Sequence, residues 1–189
     1  THNAHIKRKS RGHRAHRDFV REFAPPSKAS ETEAAVRVSV YMAFPKADKL
    51  EHVIQKATEL GAHEIIAFPS ARCVSKPDEK SLKKKLERWQ KIAASAAEQS
   101  GRGLIPQVVL LPNYQQALKR AAKADISILF YENERATTLR MALEEKSFET
   151  ISLLTGPEGG LEEKEVEQAA ALLKNSPAAW RIFWMPKPV

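Results

Sequence analysis

The chain has 189 residues, of which 42% are hydrophobic, and a formal net charge of +8. This size and composition support one main domain with a buried core, plus an appendage. The single cysteine, Cys73, excludes an internal disulfide and is typical of a reducing cytoplasm, where we expect the protein to act. No apolar stretch approaches the roughly 18 residues needed to cross a bilayer, so we expect no membrane partner.

The positive charge is concentrated at the amino end. Residues 1–30 contain eight Lys or Arg and two acidic residues, a net charge of +6, which leaves +2 for the rest of the chain. A segment with so little apolar surface should be mobile unless it binds a polyanion such as RNA through its phosphates. A solvated basic tail would have the same composition. We therefore divide the chain into a basic arm, residues 1–34, and a main domain, residues 35–189.

Strand and helix patterns alternate along the main domain. Five apolar, β-rich segments predict strands over 36–44, 63–68, 107–111, 126–131 and 150–154. Apolar residues at spacings of three and four predict helices over 47–60, 79–100, 114–122, 138–145 and 162–173. This alternation is typical of an α/β fold, a mostly parallel sheet with helices on both faces. Ligands of such sheets bind outside the carboxyl ends of the strands.

The loop after the fifth predicted strand has the composition of a binding loop. It reads Gly156-Pro157-Glu158-Gly159-Gly160. Glycines permit positive φ and let the backbone approach an adenine or a ribose closely. Glu158 can accept hydrogen bonds from ribose hydroxyls or from a cationic group, near the positive end of the next helix. An ordinary tight turn between strand and helix explains the same residues, and the pattern is neither G-x-G-x-x-G nor a P-loop.

Four motifs in a fixed order resemble a known family. They are Phe44-Pro45-Lys46-Ala47-Asp48-Lys49, then Gln55-Lys56-Ala57-Thr58-Glu59-Leu60-Gly61, then Arg88-Trp89 with Ala96-Ala97-Glu98-Gln99-Ser100-Gly101-Arg102, and finally the glycine loop. Together they resemble the bacterial family that methylates N3 of a uridine in small-subunit (16S) ribosomal RNA. That family belongs to the SPOUT-type, trefoil-knotted RNA methyltransferases, and the resemblance covers residues 31–175.

The resemblance implies a cofactor, partners and site residues. S-adenosyl-L-methionine would be the methyl donor, with no metal, and the partners would be ribosomal RNA or the small ribosomal subunit and a second copy of the chain. The cofactor-binding residues would be Leu154, Thr155, Gly156, Pro157, Glu158, Gly159 and Gly160. Arg102 and Glu98 would be catalytic, with Arg102 stabilising the anion that develops on the base. The RNA-binding residues would be Lys46, Lys49, Arg72, Gln99 and Arg102.

These residues also have simpler structural explanations. Glu98 and Gln99 could be the polar end of an exposed helix, and Arg102 a cation near the negative end of that helix, worth about 0.3–1 kcal/mol. The enzyme hypothesis requires the glycine loop to lie against the polar end of the long helix, so that both form one cradle for the methyl donor.

Both ends of the chain differ from the family pattern. The family has a PUA-like RNA-binding barrel at the amino end, of which residues 1–34 could keep only a remnant near Phe19–Phe23. At the carboxyl end a segment like Leu-Gly-x-Arg-Ile-Leu-Arg-x-Glu-Thr-Ala, followed by a helix, would close the knot, and residues 176–189 share only Arg181-Ile182 with it. The prolines and tryptophans of this end predict neither a strand nor a helix.

We therefore expect an intact middle between two ends altered by truncation or a frame shift, with an incomplete knot and impaired activity. A degenerate RNA-binding protein of the same lineage is the first alternative. A small α/β enzyme that uses the glycine loop for another nucleotide is the second.

Overall fold

The computed structural model describes residues 33–74, 79–131, 147–173 and 179–184. The predicted basic arm, except for its last two residues, and the predicted helix over 138–145 lie outside this part of the chain. None of the described helices is both long and apolar enough to cross a bilayer.

Six strands form one sheet. They are β1 (Arg37–Ala43), β2 (Glu64–Phe68), β3 (Gln107–Leu110), β4 (Ile126–Tyr131), β5 (Thr150–Thr155) and β6 (Ala179–Trp184). Their order is β3-β2-β1-β5-β4-β6, and each neighbouring pair is parallel. The five predicted strands are confirmed to within one residue at each end. Their nearly continuous apolar runs fit strands that are covered on both faces.

β6 is a strand that the sequence did not predict. It pairs with β4 along its whole length, with Ile182 opposite Leu129. The prediction of no strand over 176–189 was wrong because Pro177 and Pro186 lie outside the strand, where they remove no ladder hydrogen bond. The tryptophan, isoleucine and phenylalanine between them favour β structure. The predicted knot depends on this end of the chain and stays a prediction.

Four helices within the described residues lie against the sheet. They are α1 (Lys49–Glu59), α2 (Glu79–Gln99), α3 (Tyr114–Ala121) and α4 (Glu163–Leu173). Right-handed crossovers place α1 and α2 on one face, because β1, β2 and β3 follow one another in one direction across the sheet. α3 and α4 lead in the opposite direction and lie on the other face. The contacts agree, since Arg88 of α2 pairs with Glu51 of α1 and Tyr114 of α3 bonds to Glu165 of α4.

Aromatic side chains pack both faces of the sheet at the carboxyl ends of its strands. Phe44, just after β1, contacts Trp89 of α2 with the ring centroids 6.4 Å apart. On the other face Phe68, the last residue of β2, contacts Tyr114 of α3 at 5.9 Å. All four side chains are buried. The edge from which the loops after β1 and β2 emerge is therefore anchored from both sides, which positions the site described next.

Candidate functional site

A crevice forms where the direction of the chain reverses across the sheet. β1 and β5 are central neighbours, but α1 leads from β1 to one side and α4 leads from β5 to the other. Met42 pairs with Thr155, so the loops that follow the two strands start at the same level. Diverging loops at the carboxyl ends of neighbouring parallel strands leave a crevice in which ligands of open α/β sheets bind.

The carboxylate of Glu158 joins the two loops across this crevice. The backbone N–H of Lys46 donates to both of its oxygens at 3.1 Å, and the ammonium of Lys49 lies 3.1 Å from Oε1. Partial burial disfavours the charged form, but hydrogen bonds from the backbone of Glu158, from Lys49 and from Lys46 outweigh it and lower the pKa of Glu158 below 4.5. Lys49 is thus the cationic partner that the sequence predicted for Glu158, and the contact with a ribose stays a prediction.

The glycine loop is a compact turn whose shape requires glycine. A Cβ on Gly156 would lie 2.9 Å from the carbonyl carbon of Gly160 and 3.0 Å from Leu161, too close for any side chain. Gly160 has φ +71° and donates its N–H to the carbonyl of Pro157 at 2.8 Å. Gly159 is exposed, and the atoms nearest to a Cβ there belong to the Arg72 side chain. The loop thus presents the backbone of Gly159 at the surface of the crevice.

Arg72 brings the loop after β2 to the same place. Its Nη1 donates to the carbonyl of Gly159 at 2.8 Å, and its side chain is exposed. Lys46 and Lys49, which are also exposed, lie across the crevice on the loop that Glu158 holds. The structure therefore brings Lys46, Lys49 and Arg72 together around the glycine loop, and their role in RNA binding stays a prediction.

Glu165 holds these loops in place, and sequence reasoning missed it. Its side chain is almost fully buried, with Oε1 accepting from the N–H of Ala71 at 3.0 Å and Oε2 accepting from the N–H of Glu162 at 2.9 Å. The second contact is half of a capping box, in which the side chain of the third helical residue accepts a hydrogen bond from the backbone N–H of the residue just before the helix. A glutamate three residues into the predicted helix was the available signal. Glu165 thus fastens the loop that carries Arg72 to the start of α4.

Ala47 has a strained backbone beside the crevice. Its φ is +51°, a left-handed conformation that costs an alanine about 1–2 kcal/mol. It follows Lys46, whose N–H is held by Glu158, and precedes the start of α1 by two residues. Strain of this kind persists where the surroundings fix the backbone, often at functional sites.

The residues predicted at the end of α2 lie elsewhere. α2 starts beyond the carboxyl end of β2 and ends before the amino end of β3, because it connects parallel strands. The guanidinium of Arg102 is 6% exposed and donates to the carbonyls of Thr58 at 2.9 Å and Ala62 at 2.8 Å. Thr58 lies in the last turn of α1, and Ala62 lies between α1 and the start of β2. The length of β1 separates this edge from the glycine loop, on the order of 20 Å.

The predicted single cradle of glycine loop and α2 end is therefore wrong. Glu98 and Gln99 are exposed near this amino edge, so the structure brings neither them nor Arg102 to the glycine loop, and their catalytic and RNA-binding roles stay predictions. Arg102 instead satisfies carbonyls at the negative end of α1. It also pairs with Glu33 at 2.6 Å, and its hydrogen bond lowers the pKa of that carboxyl against the opposing effect of burial. Arg102 is therefore a cation near the negative end of a helix, as its simpler explanation stated, but the helix is α1 and not α2.

Reactive side chains near the crevice are few in the described part of the chain. Cys73 is buried, and its sulfur accepts a hydrogen bond from the N–H of Ser70 at 3.2 Å. No three His, Cys, Asp or Glu residues among those described come together as a metal site would require.

The family of the chain follows from its sequence and agrees with this geometry. The sequence model of the RNA methyltransferase domain matches residues 32–175, and the chain belongs to that family. The matched range contains all the loops around the crevice. The predicted family and the predicted α/β fold class of the SPOUT type are confirmed.

Individual relatives are consistent with the family match. Two curated relatives are both named ribosomal RNA small subunit methyltransferase E. The one from Bacillus subtilis (strain 168) is 43% identical over 143 residues, which cover 72% of this chain and 55% of the relative. The one from Mesomycoplasma hyopneumoniae (strain 232) is 35% identical over 136 residues, which cover 72% and 58%. The chain thus spans somewhat more than half the length of these relatives.

A solved structure of the same name shows the same fold. It is a ribosomal RNA small subunit methyltransferase E from Neisseria gonorrhoeae bound to S-adenosyl methionine. It is 27% identical to this chain with a TM-score of 0.70, and the match covers 86% of this chain and 63% of that one.

Proposed function

We propose that this chain is the catalytic domain of an S-adenosyl-L-methionine-dependent methyltransferase that modifies N3 of a uridine in 16S ribosomal RNA. The names of the relatives support a small-subunit ribosomal RNA substrate, and the Neisseria structure supports the methyl donor. The observation that carries the proposal is the crevice between β1 and β5, closed by a glycine loop that Glu158 and Arg72 hold in place.

The residues at the crevice fit the proposed cofactor. Leu154 to Gly160 would hold it, because the exposed backbone of Gly159 offers peptide groups to a ligand without a side chain in the way. Glu158 and Gly156 fix the shape of that backbone before any ligand binds. When bound, the cofactor supplies an activated methyl group to the reaction.

The cations of the crevice suit an RNA substrate and the chemistry of its base. Arg72 uses one of its five N–H donors on Gly159, which leaves others for a phosphate or a base oxygen. N3 of uridine carries a proton that must leave as the new N–C bond forms, and a nearby cation stabilises the resulting anion. With Arg102 at the opposite edge, we assign this role to Arg72, assisted by Lys46 and Lys49.

The decisive experiment measures the modified nucleoside directly. Small-subunit particles that lack the mark are incubated with the chain and S-adenosyl-L-methionine, and the nucleosides are analysed by mass spectrometry. We expect N3-methyluridine. A different methylated nucleoside would disprove the choice of uridine N3. RNA binding without cofactor binding in calorimetry would favour the alternative, a degenerate RNA-binding protein.

A pair of arginine variants tests the assigned cation. Arg72→Met should lower kcat by about 100-fold, the size of the loss when a group that stabilises an anionic transition state is removed. Arg37→Met is the matched control, since Arg37 is also exposed but lies at the amino end of β1. Equal activity of the two variants would remove Arg72 from the mechanism.

Further proposals concern the oligomeric state and location of the chain, its amino end and its turnover. We propose a homodimer acting in the cytoplasm, a PUA-like remnant within residues 1–34, and a turnover reduced by the altered carboxyl end. Sedimentation of the chain across a concentration series tests the dimer, and kcat compared with that of the Bacillus subtilis relative tests the turnover.

A further inference from the structure

α2 carries its positive charges at the end where its own dipole disfavours them. Residues 80–91 contain six cations and one acidic residue, whereas the last turn contains no basic residue and includes Glu98. Cations lower the stability of a helix near its amino end, and like charges three or four residues apart lower it further. Glu79 opens the helix with a favourable acidic residue and only Lys80 lies in the first turn, but Lys83 and Lys84 follow it three and four residues later, so the first two turns carry a cluster of like charges.

Five of these six cations, all except Arg88, have no neutralising carboxylate within 4.0 Å in the described part of the chain. Lys80, Lys83 and Lys84 are exposed, and no described carboxylate lies within 4.0 Å of their ammonium groups. Arg88, one turn further on, is paired with Glu51 at 2.6 Å. An exposed cluster of cations that no described carboxylate neutralises is typical of a surface that functions with a partner.

The start of α2 projects beyond the sheet on the side of the crevice. Arg88 contacts Glu51 in the first turn of α1, so the nine residues before Arg88 extend past α1 by up to about 13 Å. Leu82 and Leu86 pack against the core, which holds this segment in place and turns the lysines outward. The segment follows the loop that carries Arg72, since Glu79 is only five residues beyond Val74.

We propose that Lys80, Lys83 and Lys84, here called the α2 lysine face, bind the phosphate backbone of the RNA on one side of the nucleotide held in the crevice. The proposal rests on the proposed function for the identity of the substrate. Lysines on flexible stems suit phosphates as point charges. The α2 lysine face follows the cations at the rim of the crevice, Lys46, Lys49 and Arg72, in the outward direction. Because one substrate would contact both groups of cations, we take RNA as the molecule that binds the face. Binding here is independent of base sequence, because phosphate contacts carry no sequence information.

The test uses a triple variant and a transcribed 16S ribosomal RNA. Lys80→Gln, Lys83→Gln and Lys84→Gln together keep helix propensity, because lysine and glutamine are similar helix formers. At 0.1 M salt the RNA affinity should fall by roughly tenfold to a hundredfold, and the slope of log K against log salt should decrease by about 2 to 3. The melting temperature of the free variant should not fall, because the repulsion among Lys80, Lys83 and Lys84 is removed.

The matched control removes lysines from a favourable helix end. Lys119→Gln with Lys123→Gln changes exposed lysines at and just after the last turn of α3, on the other face of the sheet. This control should leave the RNA affinity unchanged and should not raise the melting temperature, because cations stabilise the end of a helix.

The outcomes separate this inference from the proposed function. The inference is overturned if the triple variant binds RNA with the affinity and salt slope of the wild type, or if the wild type binds no RNA. Methyl transfer by the wild type in the first case would leave the proposed function standing. If the triple variant loses RNA affinity while the wild type transfers no methyl group, only the proposed function fails.

Discussion

Replacing Arg102 by methionine tests whether this residue stabilises the fold or takes part in catalysis. The variant leaves two buried carbonyls, those of Thr58 and Ala62, without their donor and breaks the pair with Glu33. Breaking a buried ion pair costs about 3–5 kcal/mol, and the lower end applies because Glu33 is 28% exposed. A loss of about 3 kcal/mol corresponds to a fall in melting temperature of about 6–12 °C for a chain of this size.

Arg88→Met is the control for this measurement. Arg88 forms an ion pair with the same 2.6 Å separation, but its side chain is 64% exposed, so the loss should stay below about 1 kcal/mol. Thermal and urea unfolding give both values. If Arg102→Met unfolds no more easily than Arg88→Met but loses methyl transfer, Arg102 acts on the substrate and the structural assignment is refuted.

The pH dependence of the same variant gives a second check. The folded-state pKa of Glu33 is lowered below 4.5, so its contribution to stability is present above pH 4.5 and is lost as the pH falls through the folded-state value. Arg102→Met lacks this contribution at every pH. The stability difference between wild type and variant should therefore narrow below pH 4.5, and a constant difference would contradict the assigned cause.

Three further substitutions, one control substitution and one pH series test the crevice and its supports. Gly156→Ala places a Cβ 2.9 Å from the loop backbone and should cost about 1–3 kcal/mol while weakening cofactor binding in calorimetry. Gly101→Ala, with φ +67° and nothing within 4 Å, should cost only backbone strain of about 1–2 kcal/mol and keep the cofactor affinity; equal affinity losses would contradict the loop assignment. Glu158→Gln removes the charge paired with Lys49 and should weaken cofactor binding about fivefold to tenfold. Wild-type cofactor affinity should be constant above pH 4.5 and decline only as the pH falls through the lowered pKa of Glu158, and a decline that begins above pH 4.5 would contradict this. Tyr114→Phe deletes a 2.8 Å hydrogen bond to the backbone of α4 and should cost about 1 kcal/mol in urea unfolding, with a neutral result excluding that bond as a support.

The sequence was sufficient for five of the six described strands because their signals were local. Apolar runs such as Ile126–Tyr131 and helical spacings such as those of α1 depend only on neighbouring residues, and both were confirmed. β6 escaped prediction because its pattern is short and flanked by prolines, and its pairing with β4 is a contact between segments distant in sequence.

The site was predicted in part, for a reason that the topology makes clear. The glycine loop and Lys46 follow strands, so they had to lie at the carboxyl edge. Arg102 follows a crossover helix, and the end of such a helix lies at the amino edge. The alternation of elements in the sequence already contained that information. The partners of Glu158 and Arg72 could not be predicted, because they depend on loop conformations that bring together segments far apart in the chain.

The contact between Lys46 and Glu158 also bears on how the protein acquires its shape during synthesis. The two residues are 112 positions apart, and the central strands β1 and β5 pair over a similar span. Closing so long a segment has a large entropic cost, and contacts of this range slow folding. A nascent chain that ends before β5 can pair β1 with β2 and β2 with β3, but it lacks one wall of the crevice. The crevice is therefore complete only late in synthesis, when the last third of the domain has been made and β5 lies between β1 and β4.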